Sequence, residues 1–184
     1  MTDTARRSLI EAGAAGLLSF GLPIRARAER APPLDVGYVP TPPEVVMAML
    51  RLARVGPDDL VYDLGSGDGR IAIAAAQRFG ARATGVELDP ARVAQARANA
   101  VRQRVADRVS FVAGDLFEQD LAPATVITLY LLPRLNLRLR PTLQALRPGT
   151  RIVSHAFDMG DWAPDQTRVV ADHPIFLWVV RQGG

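Results

Sequence analysis

The sequence predicts a doubly wound α/β fold, with a seven-stranded sheet, a terminal antiparallel hairpin and no lid domain. Three observations predict it. Leu60–Asp89 reads as strand, glycine turn, helix, strand. Continuous apolar runs such as Ala124–Leu132 alternate with segments of helical spacing, the profile of buried parallel strands joined by helices. The last two runs, Thr167–Ala171 and Ile175–Arg181, flank only Asp172-His173-Pro174, and so read as a hairpin.

The central unit is the most informative. Leu60–Leu64 is a short apolar run, and Gly65-Ser66-Gly67-Asp68-Gly69 follows at once. Ile71, Ile73, Ala74, Ala75 and Phe79 give an apolar helix that Gly80 stops. Ala83–Leu88 is a second strand, with Glu87 and Leu88 at its C-terminal end. Ligands of doubly wound sheets bind at the carboxyl ends of the strands. The glycines let a ligand lie against backbone N–H groups at a helix N-terminus, and Glu87 is placed to accept two hydrogen bonds from ribose hydroxyls. A dinucleotide site wants G-x-G-x-x-G; the spacing here is G-x-G-x-G, with Asp63 just before it. A pyrophosphate is repelled by Asp63 and Asp68, whereas the ammonium group of a zwitterionic methionine moiety accepts an acidic neighbour. D-L-G-S-G-D-G with V-E-L-D downstream thus resembles the S-adenosylmethionine site of class I methyltransferases.

The remaining elements follow in order. Thr41-Pro42-Pro43-Glu44 reads as a capping box, with Thr41 as N-cap and Pro42 at the first helical position. Val45, Met49 and Leu52 form the apolar stripe of that helix, with Val46 and Ala53 beside it, and Gly56-Pro57 is expected to end it. Pro90–Arg104 is rich in strong helix formers, with Val93, Ala96, Ala100 and Val101 as its expected buried face. Arg108–Ala113 is the third strand. Asp115 follows on the ligand side, where its carboxylate can accept the exocyclic amine of adenine while Leu116 or Phe117 packs on the ring. After the run 124–132, Leu135, Leu139, Leu143 and Leu146 recur at helical spacing. Pro141 is expected to kink this helix, and Pro148-Gly149 to close it. Thr150–Phe157 is a further strand, and Asp158–Gln166 is too short for another covering helix.

Composition narrows the classes. The 184 residues are 48% apolar, enough for the core of one domain. Cysteine is absent, which excludes disulfides and thiolate zinc sites; with only His155 and His173 for imidazole ligands, no metal site is expected. All 22 basic residues are arginine. Residues 1–28 read as a signal of the twin-arginine type or a disordered extension: Arg6-Arg7, an apolar stretch Ser8–Leu22, then Ala26-Arg27-Ala28. Such a signal points to the bacterial periplasm, whereas the supply of S-adenosylmethionine points to the cytoplasm. Residues 29–37 read as a linker and 38–184 as the domain. Removing 1–28 deletes four arginines and two acids, which lowers the net charge from +3 to +1. A near-neutral domain argues against dedicated nucleic-acid binding, and Arg134, Arg138 and Arg140 read as a solvated helix face.

One group of motifs points to a branch. Tyr38-Val39-Pro40-Thr41-Pro42, with Tyr62-Asp63-Leu64-Gly65, Thr128-Leu129-Tyr130-Leu131-Leu132, Pro148-Gly149-Thr150-Arg151 and Ser154-His155, resembles the archaeal broad-specificity protein lysine methyltransferases. Their eukaryotic relatives modify mitochondrial carriers and an ATP synthase subunit. The resemblance implies a Rossmann-like methyltransferase sheet and transfer of a methyl group from S-adenosylmethionine to a lysine ε-amine of protein substrates. That chemistry needs a neutral amine held in line with the leaving sulfur, and a partly apolar channel favours the neutral form. Asp63, Gly65, Ser66, Gly67, Gly69, Glu87, Leu88, Asp115 and Leu116 match the cofactor site. Tyr38 and Thr41 are expected to close over its methionine end. Tyr38, Tyr130, Phe157 and Trp162 are candidates for the channel wall, and His155 and Asp158 for orienting the amine or accepting its proton. Two alternatives stay open: a small-molecule or nucleic-acid methyltransferase, and a non-catalytic S-adenosylmethionine-binding module. No N-P-P-Y tetrad follows the fourth strand, where amino-nucleobase enzymes carry one.

Overall fold

A computed structural model describes residues 39–182. The expected export signal, the linker and Tyr38 lie outside the described residues. Seven strands form one sheet: β1 (Leu60–Leu64), β2 (Arg82–Glu87), β3 (Val109–Ala113), β4 (Val126–Leu129), β5 (Arg151–His155), β6 (Gln166–Val170) and β7 (His173–Val179). Among the described residues, four α-helices accompany them: α1 (Pro43–Leu52), α2 (Arg70–Phe79), α3 (Pro90–Arg102) and α4 (Pro133–Gln144). The spatial order is β3-β2-β1-β4-β5-β7-β6. The first five strands are parallel, and β7 runs antiparallel between β5 and β6. The expected sheet and its terminal hairpin are therefore present. Chain order reverses between β1 and β4, so the glycine turn after β1 leaves the sheet at its switch point.

Alternation along the strands builds two apolar layers. Val61, Val126 and Val153 face one side, where Val45 and Met49 of α1, Ile71 and Ala75 of α2, and Ala96 of α3 cover them. Ile127, Leu129 and Ile152 face the other side, covered by Leu135, Leu139 and Leu143 of α4 together with Met159 and Trp178. Burying both faces accounts for the continuous apolar profile of β4, whose four residues are all buried. Among the described residues, no helix is long and apolar enough to cross a membrane.

Several local expectations are corrected. Helix α1 starts at Pro43 with Pro42 as N-cap, and no side chain caps it. Thr41 is instead buried, with Oγ1 3.2 Å from His155 Nδ1; a tertiary bond to a buried imidazole has displaced the local capping bond. The same helix ends at Leu52, before Gly56, and Arg54 takes a left-handed φ of 50°. Val101 is 65% exposed and does not belong to the buried face of α3. Pro141 lies inside α4, as the leucine spacing around it predicts. Strand β5 stops at His155 because Ala156 is left-handed (φ 65°), leaving Phe157 beyond the sheet. The hairpin turn is tighter than expected. Ala171 and Asp172 form it alone, both left-handed at φ 46° and 64°, and His173 and Pro174 already belong to β7. Pro174 is accommodated at the start of that strand, where its carbonyl accepts from Ala156 N–H at 2.8 Å.

Candidate active site

On the cofactor side, β1 runs straight into the glycine turn. The N–H groups of Gly65 and Ser66 both donate to the Val86 carbonyl at 2.9 Å, which bends the chain back over β2. Gly65, Gly67 and Gly69 all have positive φ (78°, 53° and 81°), a conformation that side chains with a Cβ resist. Space is short as well: a Cβ on Gly69 would lie 2.5 Å from the Phe111 ring. Glu87 braces the turn from β2. Its Oε2 accepts from Gly67 N–H at 2.8 Å and its Oε1 from Asp89 N–H at 3.0 Å. Each carboxylate oxygen keeps a second lone pair for another donor. Leu88 follows, half-buried, and Asp89 caps α3 through Ala91 N–H.

Two buried oxygens at this turn have no hydrogen-bond partner, Asp63 Oδ2 and Ser66 Oγ. Asp63 is 2% exposed, and its other oxygen accepts from Thr128 Oγ1 at 2.7 Å. Burial pushes its pKa up from 3.8 to about 7, against the Thr128 hydrogen bond and with help from the negative charges of Asp68 and Glu87. Orphaned buried acceptors are rare, and here they stand beside a glycine cradle at a switch point. At the end of β3, Asp115 Oδ1 accepts from Phe117 N–H at 2.9 Å and opens a short 3-10 turn, Leu116–Glu118. Leu116 and Phe117 are half-buried, and the Arg138 guanidinium lies 3.7 Å from the Phe117 ring centroid.

The parallel register sets Leu64 opposite both Val86 and Leu129, and Leu129 opposite Ser154. The glycine turn, Glu87, Tyr130 and His155 therefore leave the same edge of the sheet. His155 is fully buried, and its ring lies 3.9 Å from that of Tyr130. Phe157 continues the group, 6.4 Å from Tyr130 at an interplanar angle of 18°. Burial, and then the neighbouring His173, press the His155 pKa down to about 4, so the imidazole is neutral at pH 7. Asp158 is exposed, and its Oδ1 accepts from Gly160 N–H. Trp162 packs on Trp178, 5.8 Å between ring centroids. Sequence reasoning missed Asn136. It is fully buried on α4, with Nδ2 3.2 Å from Ser154 Oγ and 3.2 and 3.3 Å from the carbonyls of Phe157 and Asp158. An amide inside a leucine stripe was the available signal.

The family model of the ANTKMT methyltransferase domain matches residues 63–166, from Asp63 to the first residue of β6. The chain belongs to this methyltransferase family. It is 46% identical over 151 residues to a protein-lysine N-methyltransferase of Saccharolobus islandicus, covering 79% of this chain and 94% of that one. It is 38% identical over 132 residues to the adenine nucleotide translocase lysine N-methyltransferase of Mus musculus, of which it spans 57%. A solved structure of an RNA methyltransferase from Salinibacter ruber, in complex with S-adenosyl-L-homocysteine, superposes with a TM-score of 0.78 at 54% identity, covering 79% of this chain and 96% of that one. The residues of this ANTKMT-family domain fit the corresponding methyl donor. An ammonium group and ribose hydroxyls are donors, and the turn offers unsatisfied acceptors at Asp63 and Ser66 and spare lone pairs on Glu87.

Proposed function

We propose that this protein transfers a methyl group from S-adenosylmethionine to the ε-amine of lysine side chains in proteins. The observation that carries the reading is the aromatic group of Tyr130, His155 and Phe157 at the ends of β4 and β5, on the edge of the sheet that also carries the glycine turn. Identity to the archaeal lysine methyltransferase over nearly its whole length supports it. When bound, S-adenosylmethionine supplies an electrophilic methyl group. The turn Gly65, Ser66, Gly67 and Gly69 would lie against it, and Asp63 would take its ammonium group. Glu87 and Leu88 would hold the ribose, Asp115 and Leu116 the adenine, and Thr41 would flank the methionine end.

The acceptor side has to hold a lysine and favour its neutral form. The ring faces of Tyr130 and Phe157 attract an ammonium group as it arrives. The same apolar surroundings exclude water and lower the amine pKa, since burial disfavours the charged form. His155 is neutral and adds no repelling charge. It orients the amine through its neighbour Tyr130, while Asp158 stands at the exposed rim to receive the released proton.

The Salinibacter structure favours a second reading, RNA methylation. One experiment separates the two. The purified chain is given labelled S-adenosylmethionine with either a lysine-rich histone or bulk RNA. Label in the histone, recovered as methylated lysine after acid hydrolysis, is the expected result. Label in RNA alone, or methylated arginine, overturns the lysine reading.

A further inference from the structure

Beyond these residues, a chain of hydrogen bonds runs from the glycine turn to β7. It starts at the glycine turn, where Arg70 pairs with the Asp68 carboxylate at 2.7 Å. Arg70 NH1 donates to the Thr41 carbonyl at 2.9 Å. Thr41 Oγ1 lies 3.2 Å from His155 Nδ1, and His155 Nε2 lies 3.0 Å from His173 Nδ1. Each imidazole nitrogen of His155 thus meets a protein group, one from ahead of α1 and one from β7. His173 also touches His155 edge-on, with ring centroids 4.9 Å apart. The other face of His155 carries Tyr130.

A neutral imidazole has one donor and one acceptor nitrogen. His173 Nδ1 donates in one tautomer and accepts in the other, so the protons of the two rings are set together, and the Thr41 hydroxyl rotates to supply the complement. Nothing in the cofactor chemistry uses His173. Its side chain nevertheless holds one ring nitrogen of His155 and with it the place of the ring against Tyr130. We propose that His173 and Thr41 are positioning residues for methyl transfer: they fix His155 beneath Tyr130 and tie the acceptor wall to the cofactor turn through Arg70. The proposal rests on the reading that the acceptor amine enters beside Tyr130.

The test uses the full chain. His173→Leu removes the hydrogen bond and keeps bulk, whereas His173→Asn keeps a polar atom near the place of Nδ1. His173→Leu should lower kcat on a lysine-rich histone about tenfold, the rate equivalent of one hydrogen bond, with the affinity for S-adenosylhomocysteine in calorimetry changed less than about twofold. His173→Asn should recover most of that loss. Thr41→Val should likewise lower kcat about tenfold and Thr41→Ser recover most of that loss, which keeps the test open if His173→Leu does not fold. Equal impairment of the Leu and Asn variants would mean that only imidazole bulk matters, and an unimpaired Leu variant that nothing is positioned; either overturns the proposal. Long-range nitrogen–proton NMR reads the pair without any acceptor. The wild type should show a hydrogen-bonded ring N–H shared by His155 and His173, and His173→Leu should shift the His155 ring signals. His155 ring signals unchanged in His173→Leu overturn the arrangement, whereas absent lysine methylation beside that shift overturns only the reading beneath it.

Discussion

Asp63 carries a carboxyl group where water cannot solvate it, and the consequence is readable in stability. In the folded chain its pKa is about 7, against 3.8 when exposed. Between about pH 4 and 7 the folded state keeps a proton that the unfolded state has released, so stability falls as pH rises, by up to about 1.4 kcal/mol per unit. His155 acts in the opposite sense. Its pKa is depressed to about 4, so below about 6.5 the unfolded state binds the extra proton and stability falls as pH falls. The two slopes oppose each other from about pH 4 to 6.5. Asp63→Asn should remove one of them. Its ligand-free stability in urea, relative to the wild type, is expected to grow steadily as pH rises to about 7. A difference that stays constant with pH would show that Asp63 ionises normally. The carboxylate was legible in the sequence from its place before the glycines. Its protonation was not, because that depends on burial and on Thr128, far along the chain.

At the scale of elements, the glycine turn and its strands matched their predicted positions within a residue or two, since strand, turn and helix signals there are local and agree with one another. The failures lie where a local signal met a distant competitor. Thr41 had every feature of an N-cap, yet its hydroxyl turns to His155. Pro174 argued for a loop and instead is the second residue of β7. The hairpin offers a prediction at this scale. Ala171 and Asp172 both take left-handed conformations, at a cost of roughly 1–2 kcal/mol for a residue with a Cβ and less for aspartate. Two-residue hairpin turns of this kind favour Asn-Gly. The double change Ala171→Asn and Asp172→Gly should therefore raise stability by about 1 kcal/mol, measured as an upward shift of the urea midpoint with unchanged slope. A fall in the midpoint would mean that the two side chains stabilise the turn by some other contact.

For the whole molecule, the absence of lysine is the most useful fact of composition. The chain has no ε-amine of its own to methylate. Arginine does not substitute, because its guanidinium stays protonated and delocalised. The purified chain with labelled S-adenosylmethionine alone should give no labelled protein band, and a chain with one exposed Arg→Lys change, such as Arg51→Lys on the outer face of α1, tests the same point from within. Label on the unaltered chain would show that another side chain or its α-amino group accepts methyl. Such a self-contained blank lets weak transfer to an added protein be read without background.

The sequence by itself determined the order of strands and helices, the switch-point turn and the family, because these rest on periodicity, glycine spacing and residues adjacent in the chain. Only the tertiary structure brought the proposed acceptor side together. Tyr130, His155 and His173 lie far apart in sequence and meet because β4, β5 and β7 stand side by side, and Thr41 joins them from ahead of α1. Their roles are set by what they meet. A histidine becomes a neutral, two-sided hydrogen-bonding group, and a threonine leaves its cap, when burial removes water as the competing partner.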